Sequence, residues 1–364
     1  MADYEDFLAF FNEDNFTDYN NSVDTSYVVD EMVNLCAKTE VNRFGAKFIP
    51  TFYTINFLLS VVGNGLVLSL RQYQKYEKLT SVTNIFLLNL VISDLLFASS
   101  LPFLATYYSS EWIFGPFMCK LVGSMYFIGF YSSILFLTLM TFDRYLAVVH
   151  AINAAKQRRK IYACVSSAVV WCISLLASVK ELVLYNVWKD PQSGHLCEET
   201  GFSKDIMDKW ELVGYYQQFV IFFLLPLAMV MYCYVRITVR VMSTRMREKC
   251  RAVKLIFVIV FSFFVCWTPY NIVILLRALQ MSTSHSFEPC SDVLDYALYV
   301  TRNIAYLYCC VSPVFYTFLG KKFQSHFRKL LAKHIPCLKS YIDTNQSSQS
   351  RTTSQKSPHT MYEY

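Results

Sequence analysis

Charge is absent from five long stretches of this 364-residue chain, and nothing else about it constrains the fold as strongly. No Asp, Glu, Lys or Arg lies between Lys47 and Arg71, Lys120 and Asp143, Lys160 and Lys180, Glu211 and Arg236, or Lys254 and Arg277. Two further stretches hold one charge each: Asp94 between Lys78 and Glu111, and Arg302 between Asp295 and Lys321. A helix needs roughly 20 apolar residues to cross the hydrocarbon core, and each stretch supplies them. The runs are continuous rather than short and alternating, which favours helices over a barrel. The sequence therefore predicts an all-α membrane protein: a seven-transmembrane helix bundle over 48–320, with helices near 48–70, 82–107, 116–147, 161–184, 212–239, 250–280 and 293–320. Composition agrees, with 54% hydrophobic and 16% charged residues, where a soluble domain carries roughly 25% charged.

Basic residues set the orientation. Arg71, Lys75 and Lys78 follow the first helix; Lys156, Arg158, Arg159 and Lys160 follow the third. Seven Lys/Arg span Arg236 to Lys254, and Lys321, Lys322, Arg328, Lys329, Lys333 and Lys339 follow the seventh. The positive-inside rule then predicts a multi-pass membrane protein with its N-terminus outside and its C-terminus in the cytoplasm. No signal-peptide pattern precedes the first helix, which is expected to act as its own insertion signal. Cys36, Cys119, Cys197 and Cys290 fall on the oxidising side, where disulfides are expected, and four cysteines allow three pairings. No Cys/His spacing suggests a metal site, and no catalytic or phosphate-loop constellation occurs, so the chain does not read as an enzyme. Nothing points to nucleic acid.

The flanks have their own chemistry. Residues 1–47 form an acidic extracellular tail, with nine Asp/Glu before Lys38. Asn15 and Asn20 begin glycosylation triplets. Tyr4, Tyr19 and Tyr27 sit among the acids and are candidates for sulfation, which would strengthen steering of a basic ligand. Residues 321–336 read as an amphipathic membrane-surface helix: Phe323, Phe327, Leu330, Leu331 and Ile335 share one face and bases the other. Cys337 is placed for palmitoylation. Residues 337–364 are a Ser/Thr-rich cytoplasmic tail open to kinases.

Polar residues inside a membrane are costly and point to function. Asn64, Asp94 and Ser133 are the polar points of the first three helices and are expected to meet near the bundle axis. Asp143-Arg144-Tyr145 closes the third helix, with neighbouring opposite charges at the membrane boundary.

At this point the chain resembles a family. Gly63-Asn64, Leu90-xxx-Asp94, Asp143-Arg-Tyr-Leu-Ala-Val-Val-His-Ala151, Trp171, Pro226 with Tyr234, Cys266-Trp-Thr-Pro-Tyr270 and Pro313-xx-Tyr316 follow the rhodopsin-like G-protein-coupled receptor pattern through all seven helices in order. His150-Ala151, Ser100-Leu-Pro102 and Trp112 with Phe114-Gly115 are similar to chemokine receptors. Leu79–Leu90, Ala252–Phe257, Asp295–Leu298 and Arg302–Ala305 most resemble the XC (lymphotactin) type, with the CC type next.

The resemblance implies much of the function. It pairs Cys119 with Cys197 and Cys36 with Cys290. It puts Tyr4, Tyr19, Tyr27, Tyr107, Trp112, Tyr126, Glu198, Glu199, Tyr270 and Arg302 on the ligand. Most chemokine receptors place a Glu at the position of Arg302; here the cation is expected to hold an acidic ligand group or to pair with Glu198 or Glu199. The switch would run through Trp267, Pro269, Pro313, Tyr316 and Tyr234 to Asp143, Arg144 and Tyr145. Asn64, Asp94, Ser133 and Ser312 would form an ion and water cluster able to hold an allosteric sodium ion, although Ser312 replaces the usual Asn or Asp and is expected to weaken that site. Implied partners are a chemokine, a heterotrimeric G protein of the inhibitory class, arrestin, receptor kinases and membrane lipid, and the outputs are calcium signalling and chemotaxis. The alternatives are a scavenging chemokine receptor without G-protein signalling and a receptor for another peptide.

Overall fold

A computed structural model describes residues 39–74, 82–150, 160–191, 194–244, 249–283 and 292–319. Helix α1 is Thr39–Gln74, α2 Val82–Ser109 and α3 Gly115–Val149. Helix α4 is Lys160–Ala177, with a further turn at Val179–Leu184. A two-stranded antiparallel hairpin follows, β1 Tyr185–Asp190 and β2 Gly194–Glu199. Helix α5 joins an α segment Lys204–Tyr216, a π segment Gln217–Leu224 and an α segment Leu225–Thr244. Helix α6 is Lys249–Thr283, and α7 comprises Asp292–Tyr306 and Tyr308–Leu319.

The bundle exposes apolar side chains and buries polar ones among its aromatic and aliphatic core. Ile55, Leu58, Leu59, Val62, Val165, Val169, Leu176, Leu225, Val235 and Val239 are exposed, while Asn56, Ser60, Asn64, Ser93, Asp94, Ser132, Ser133 and Ser312 are buried. Exposed aliphatic side chains suit lipid as the solvent, and the buried polar residues add contacts between helices. Six helices among the described residues are long and apolar enough to cross a membrane. The two pieces of α7 are too short singly and cross only as a pair.

Helix α3 is the axis, with buried residues along its length from Cys119 to Val148. Helix α4 lies at the rim. It buries only Ala163, Ser167, Val170 and Ser174, a single stripe at spacings of three and four. Trp171 on α4 donates its indole N–H to Asn89 Oδ1 at 2.9 Å, and Asn89 in turn donates to Ser167 Oγ at 3.3 Å. This clamp holds α4 to α2.

The helices differ from expectation where charge or proline misleads a count of apolar residues. Helix α1 begins at Thr39, inside the stretch assigned to the acidic tail, because Glu40, Arg43 and Lys47 interrupt the apolar run without breaking the helix. Helix α5 begins at Lys204 rather than near 212, since Asp205, Asp208, Lys209 and Glu211 hide its first turns. Helix α4 breaks at Ser178, whose hydroxyl donates back to the Ser174 carbonyl at 2.9 Å and competes with the ladder. The π segment of α5 ends just before Pro226. A proline cannot donate to the carbonyl four residues back and its ring crowds that carbonyl, so the ladder widens ahead of it. Helix α7 breaks at Leu307, between the arginine and proline turns. The hairpin between α4 and α5 had no sequence signal that was read as such.

Candidate functional site

The bundle axis is built around a proline. Pro313 has no N–H to give the carbonyl of Cys309, four residues back. Asn64 on α1 donates to that carbonyl instead, at 3.3 Å, and to Ser60 Oγ at 3.1 Å. The approach is possible because residue 63 is glycine: a Cβ there would stand 2.9 Å from the Cβ of Pro313. The Gly63-Asn64 pair thus lets α1 approach Pro313 and satisfies the carbonyl that the proline leaves without a donor.

Less than one turn away, Ser312 Oγ donates to Asp94 Oδ2 at 2.7 Å and Ser133 Oγ donates to Oδ1 at 2.9 Å. Asp94 is 2% exposed. The structure thus brings Asp94, Ser133 and Ser312 together, while Asn64 turns to Ser60 and Cys309. Serine at 312 keeps a hydroxyl on Asp94. Ser132 donates to Ser93 at 2.7 Å beside them. A cavity of about 10 Å³ opens here, lined by Asp94, Ser133, Phe130, Trp267, Tyr308 and Cys309 among others, about the space that one water or small ion needs. A carboxylate and two hydroxyls are hard oxygen donors, and both hydroxyls keep lone pairs after donating to Asp94. The set suits the monovalent cation that the resemblance implies.

Trp267 stands over this cavity, 3% exposed. Its ring centroid lies 4.1 Å from that of Phe130, 5.7 Å from Phe263 and 6.2 Å from Phe97. Pro269, two residues on, leaves the Val265 carbonyl of α6 without its ladder donor. Asn271 adds a donor to the Trp267 carbonyl at 2.9 Å. Trp267 is therefore a wide lever on a weakened turn, wedged against α3 above Asp94.

At one end of α3, Asp143 is fully buried and Arg144 Nη2 meets its Oδ2 at 3.0 Å. Thr83 of α2 donates to the same oxygen at 3.0 Å. Tyr145 Oη contacts His150 Nε2 at 3.0 Å. Tyr234 of α5 packs edge-on against Phe257 of α6, with its hydroxyl near Thr141 and within electrostatic reach of Arg144. An ion pair, α5 and α6 converge there.

The hairpin closes the other end. Cys197 on β2 is disulfide-bonded to Cys119 at the start of α3, with Cα atoms 5.7 Å apart. Trp112 packs with both cysteines and Val122, and its indole N–H donates to the Gly115 carbonyl at 2.9 Å. Gly115 has φ +77°, a conformation that favours glycine. Glu111 Oε2 accepts the His195 backbone N–H at 2.7 Å and meets its ring Nδ1 at 2.9 Å. Tyr107 Oη accepts the Cys197 N–H at 3.4 Å. Glu199 pairs with Lys180 at 2.7 Å, so Arg302 has no ion pair with Glu199, and none with any carboxylate among the described residues. Below the hairpin lies a tyrosine cluster: Tyr126 and Tyr306 at 5.6 Å, Tyr53 and Tyr306 at 5.3 Å, Tyr53 and Tyr108 at 5.9 Å between centroids. Tyr270 stands 6.1 Å from Trp267, linking this cluster to the axis.

Tyr4, Tyr19, Tyr27, Asn15, Asn20, Cys36, Cys290, Cys337 and the expected surface helix at 321–336 lie outside the described residues, and Tyr316 is described only as helical backbone. Sequence reasoning missed Asn89, Asn56, Asn271, Tyr53 and Tyr306. The asparagines are uncharged, so a search for charge passes over them, yet each lies in an apolar run and binds a carbonyl or indole.

A helix bundle with a disulfide-tied hairpin at one end, a carboxylate on its axis and an Asp-Arg pair at the other end has the architecture of a seven-transmembrane receptor. Residues 63–316 match the family model described as 7 transmembrane receptor (rhodopsin family). The chain is 35% identical over 340 residues to C-C chemokine receptor type 3 of Cavia porcellus, covering 92% of each chain. It is 37% identical over 303 residues to C-C chemokine receptor type 1 of Homo sapiens, covering 82% of this chain and 84% of the relative. It is 35% identical over 310 residues to C-C chemokine receptor type 8 of Macaca mulatta, covering 84% and 85%. The chain belongs to the rhodopsin family of seven-transmembrane receptors and, within it, to the chemokine receptors.

Proposed function

We propose that the chain is a plasma-membrane receptor that takes a chemokine at the hairpin end and activates a heterotrimeric G protein of the inhibitory class at the Asp143 end, driving calcium signals and directed migration. The observation that carries this reading is the intact Asp143–Arg144 pair on α3, beside Tyr234 of α5. A binding-only receptor has no need of such a lock. The acidic tail steers the basic ligand, and Tyr107, Trp112, Tyr126, Glu198, Tyr270 and Arg302 receive its leading segment. The hairpin end faces outward, as the basic cytoplasmic segments require.

In this reading the ligand presses the tyrosine cluster onto Trp267. The proline-weakened turn of α6 yields, and its end carrying Lys254 swings outward. Arg144 leaves Asp143 for Tyr234, Tyr316 turns inward, and a cavity opens for the G protein. Arrestin and receptor kinases then act on the C-terminal tail. Differential affinity of the ligand for the two states supplies the work: moving the balance from 1:99 to 99:1 takes about 5.5 kcal/mol.

A panel of chemokines on cells expressing the chain, read by calcium and cAMP, tests this. At least one chemokine is expected to raise calcium and lower cAMP. Silence across the panel rejects the ligand class. Internalisation of bound chemokine without either signal favours the scavenging alternative.

A further inference from the structure

The disulfide is not the only hold that the hairpin has on α3. Tyr185, the first residue of β1, lies with its ring on Gly123. A Cβ at Gly123 would stand 3.0 Å from the ring's Cδ1 and 3.2 Å from its Cγ and Cε1, so the close seat uses the bare backbone of a glycine. Positions 119, 123 and 126 share one face of a helix, at spacings of four and three. Along that face α3 therefore carries, in order, the disulfide, the seated ring and Tyr126 of the tyrosine cluster.

The ring is also held from behind. Tyr185 stands opposite Glu199 in the ladder, and Glu199 is paired at 2.7 Å with Lys180 on the turn Val179–Leu184. Thr200 donates its N–H to the Leu184 carbonyl at 2.9 Å, which closes the root of the hairpin. Tyr185 and Val187 share a face of β1 and both pack on the cluster of Trp112, Cys119, Val122 and Cys197. A disulfide has single bonds about which an attached hairpin can swivel. A ring seated one turn further along the same helix face opposes that swivel, so displacement of the hairpin is passed to α3.

We propose that Tyr185 is a positioning residue for signalling: its ring, seated on Gly123, relays movement of the hairpin to α3, by its shape and not by its hydroxyl. The relay rests on the reading of the chain as a signalling receptor, while the seating does not. Sequence puts Tyr185 in an outer loop and Gly123 in an apolar run, and only the fold brings them together.

The test compares Tyr185→Ala, which removes the ring, with Tyr185→Phe, which keeps it, in the full chain in lipid nanodiscs. Seating is read without ligand, as hydrogen exchange of the hairpin amides relative to their intrinsic rates. Tyr185→Ala is expected to lose roughly tenfold or more of that protection, and Tyr185→Phe to keep it. Relay is read with the most active chemokine of the panel, as stimulated nucleotide exchange at saturation and as chemokine affinity without G protein. Tyr185→Ala is expected to lower the exchange roughly tenfold or more while affinity stays within about threefold, and Tyr185→Phe to match the unaltered chain. Unchanged protection or undiminished exchange in Tyr185→Ala overturns the relay, although signalling by the unaltered chain stands. So does a fall in affinity as large as the fall in exchange, which marks a plain loss of structure or of a ligand contact. An equal loss in Tyr185→Phe overturns the assignment to the ring's shape. Silence of the unaltered chain with every chemokine overturns the signalling reading and the relay with it. Should Tyr185→Ala fail to fold, Gly123→Val decides, because its side chain takes the place of the ring: exchange is expected to fall with affinity kept, and undiminished exchange overturns the relay.

Discussion

At the scale of single residues, much of the mechanism rests on groups that satisfy one another across helices. Pro313 frees the Cys309 carbonyl, Asn64 takes it up, and Gly63 makes room. Gly129 has a similar role between α3 and α2, where a Cβ would stand 2.8 Å from the Phe97 backbone nitrogen. Backbone cannot swing aside as a flexible side chain does, so Gly129→Ala should cost about 1–3 kcal/mol, the usual range for overpacking. Thermal denaturation of the variant in nanodiscs checks this, and an unchanged melting temperature would contradict the packing. Asp94 carries a second prediction. Its two oxygens hold Ser133 and Ser312, and Asp94 and Ser133 line the small cavity. If a monovalent cation binds there, agonist affinity should differ between sodium and choline buffers, and Asp94→Asn should abolish the difference. Radioligand binding in the two buffers reads it, and insensitivity of the unaltered chain would count against the site. The sequence made Asp94 conspicuous, because a lone carboxylate in an apolar run has few ordinary explanations. The contact of Ser312 with Asp94 is visible only once α2 and α7 are side by side.

Among the elements, the hairpin carries the weakest signal in the sequence. Tyr185–Asp190 and Gly194–Glu199 hold no long apolar alternation, and the strands owe their place to Cys119, Trp112 and Glu111 rather than to β propensity. The disulfide closes a loop of 78 residues. Removing such a link typically costs about 2–5 kcal/mol, so Cys119→Ser should lower both thermal stability and surface expression, measured by melting and by flow cytometry. Glu111 provides a pH prediction. Its carboxyl is held below the ordinary value of 4.5, first by the His195 backbone N–H and then by the His195 side chain. A depressed carboxylate stabilises the fold above its unfolded value and ceases to do so as pH falls through the folded one. The protection of the hairpin amides, measured as exchange relative to the intrinsic rate at each pH, should therefore fall as pH drops below about 4.5. Glu111→Gln should flatten that dependence. Equal acid sensitivity in the variant would place the cause elsewhere. Helix existence was legible throughout, because charge-free runs of this length have one solution in lipid. Helix ends were not, because Glu40, Asp205 and Glu211 extend helices past the apolar boundary, and Ser178 and Leu307 break helices inside it.

For the bundle, the two ends share α3 as an axis. The tyrosine cluster, Trp267, the Asp94 cavity and the Asp143–Arg144 pair follow one another along α3 and its neighbours. Sequence order alone could name these residues by family likeness. It could not show that Trp267 lies against Phe130 directly above Asp94, because that needs α2, α3 and α6 packed together. In the proposed mechanism such an axis works as a two-state device, in which each end biases the other through one equilibrium. Its most direct test is agonist-stimulated nucleotide exchange on an inhibitory-class heterotrimer, using purified receptor in nanodiscs with a chemokine that binds it. The account predicts that the chemokine accelerates exchange, and that Arg144→Ala lowers the stimulated rate by roughly tenfold or more, within the usual range of coupling energies, while chemokine still binds. Undiminished exchange by Arg144→Ala, or chemokine binding without exchange by the unaltered chain, would contradict it.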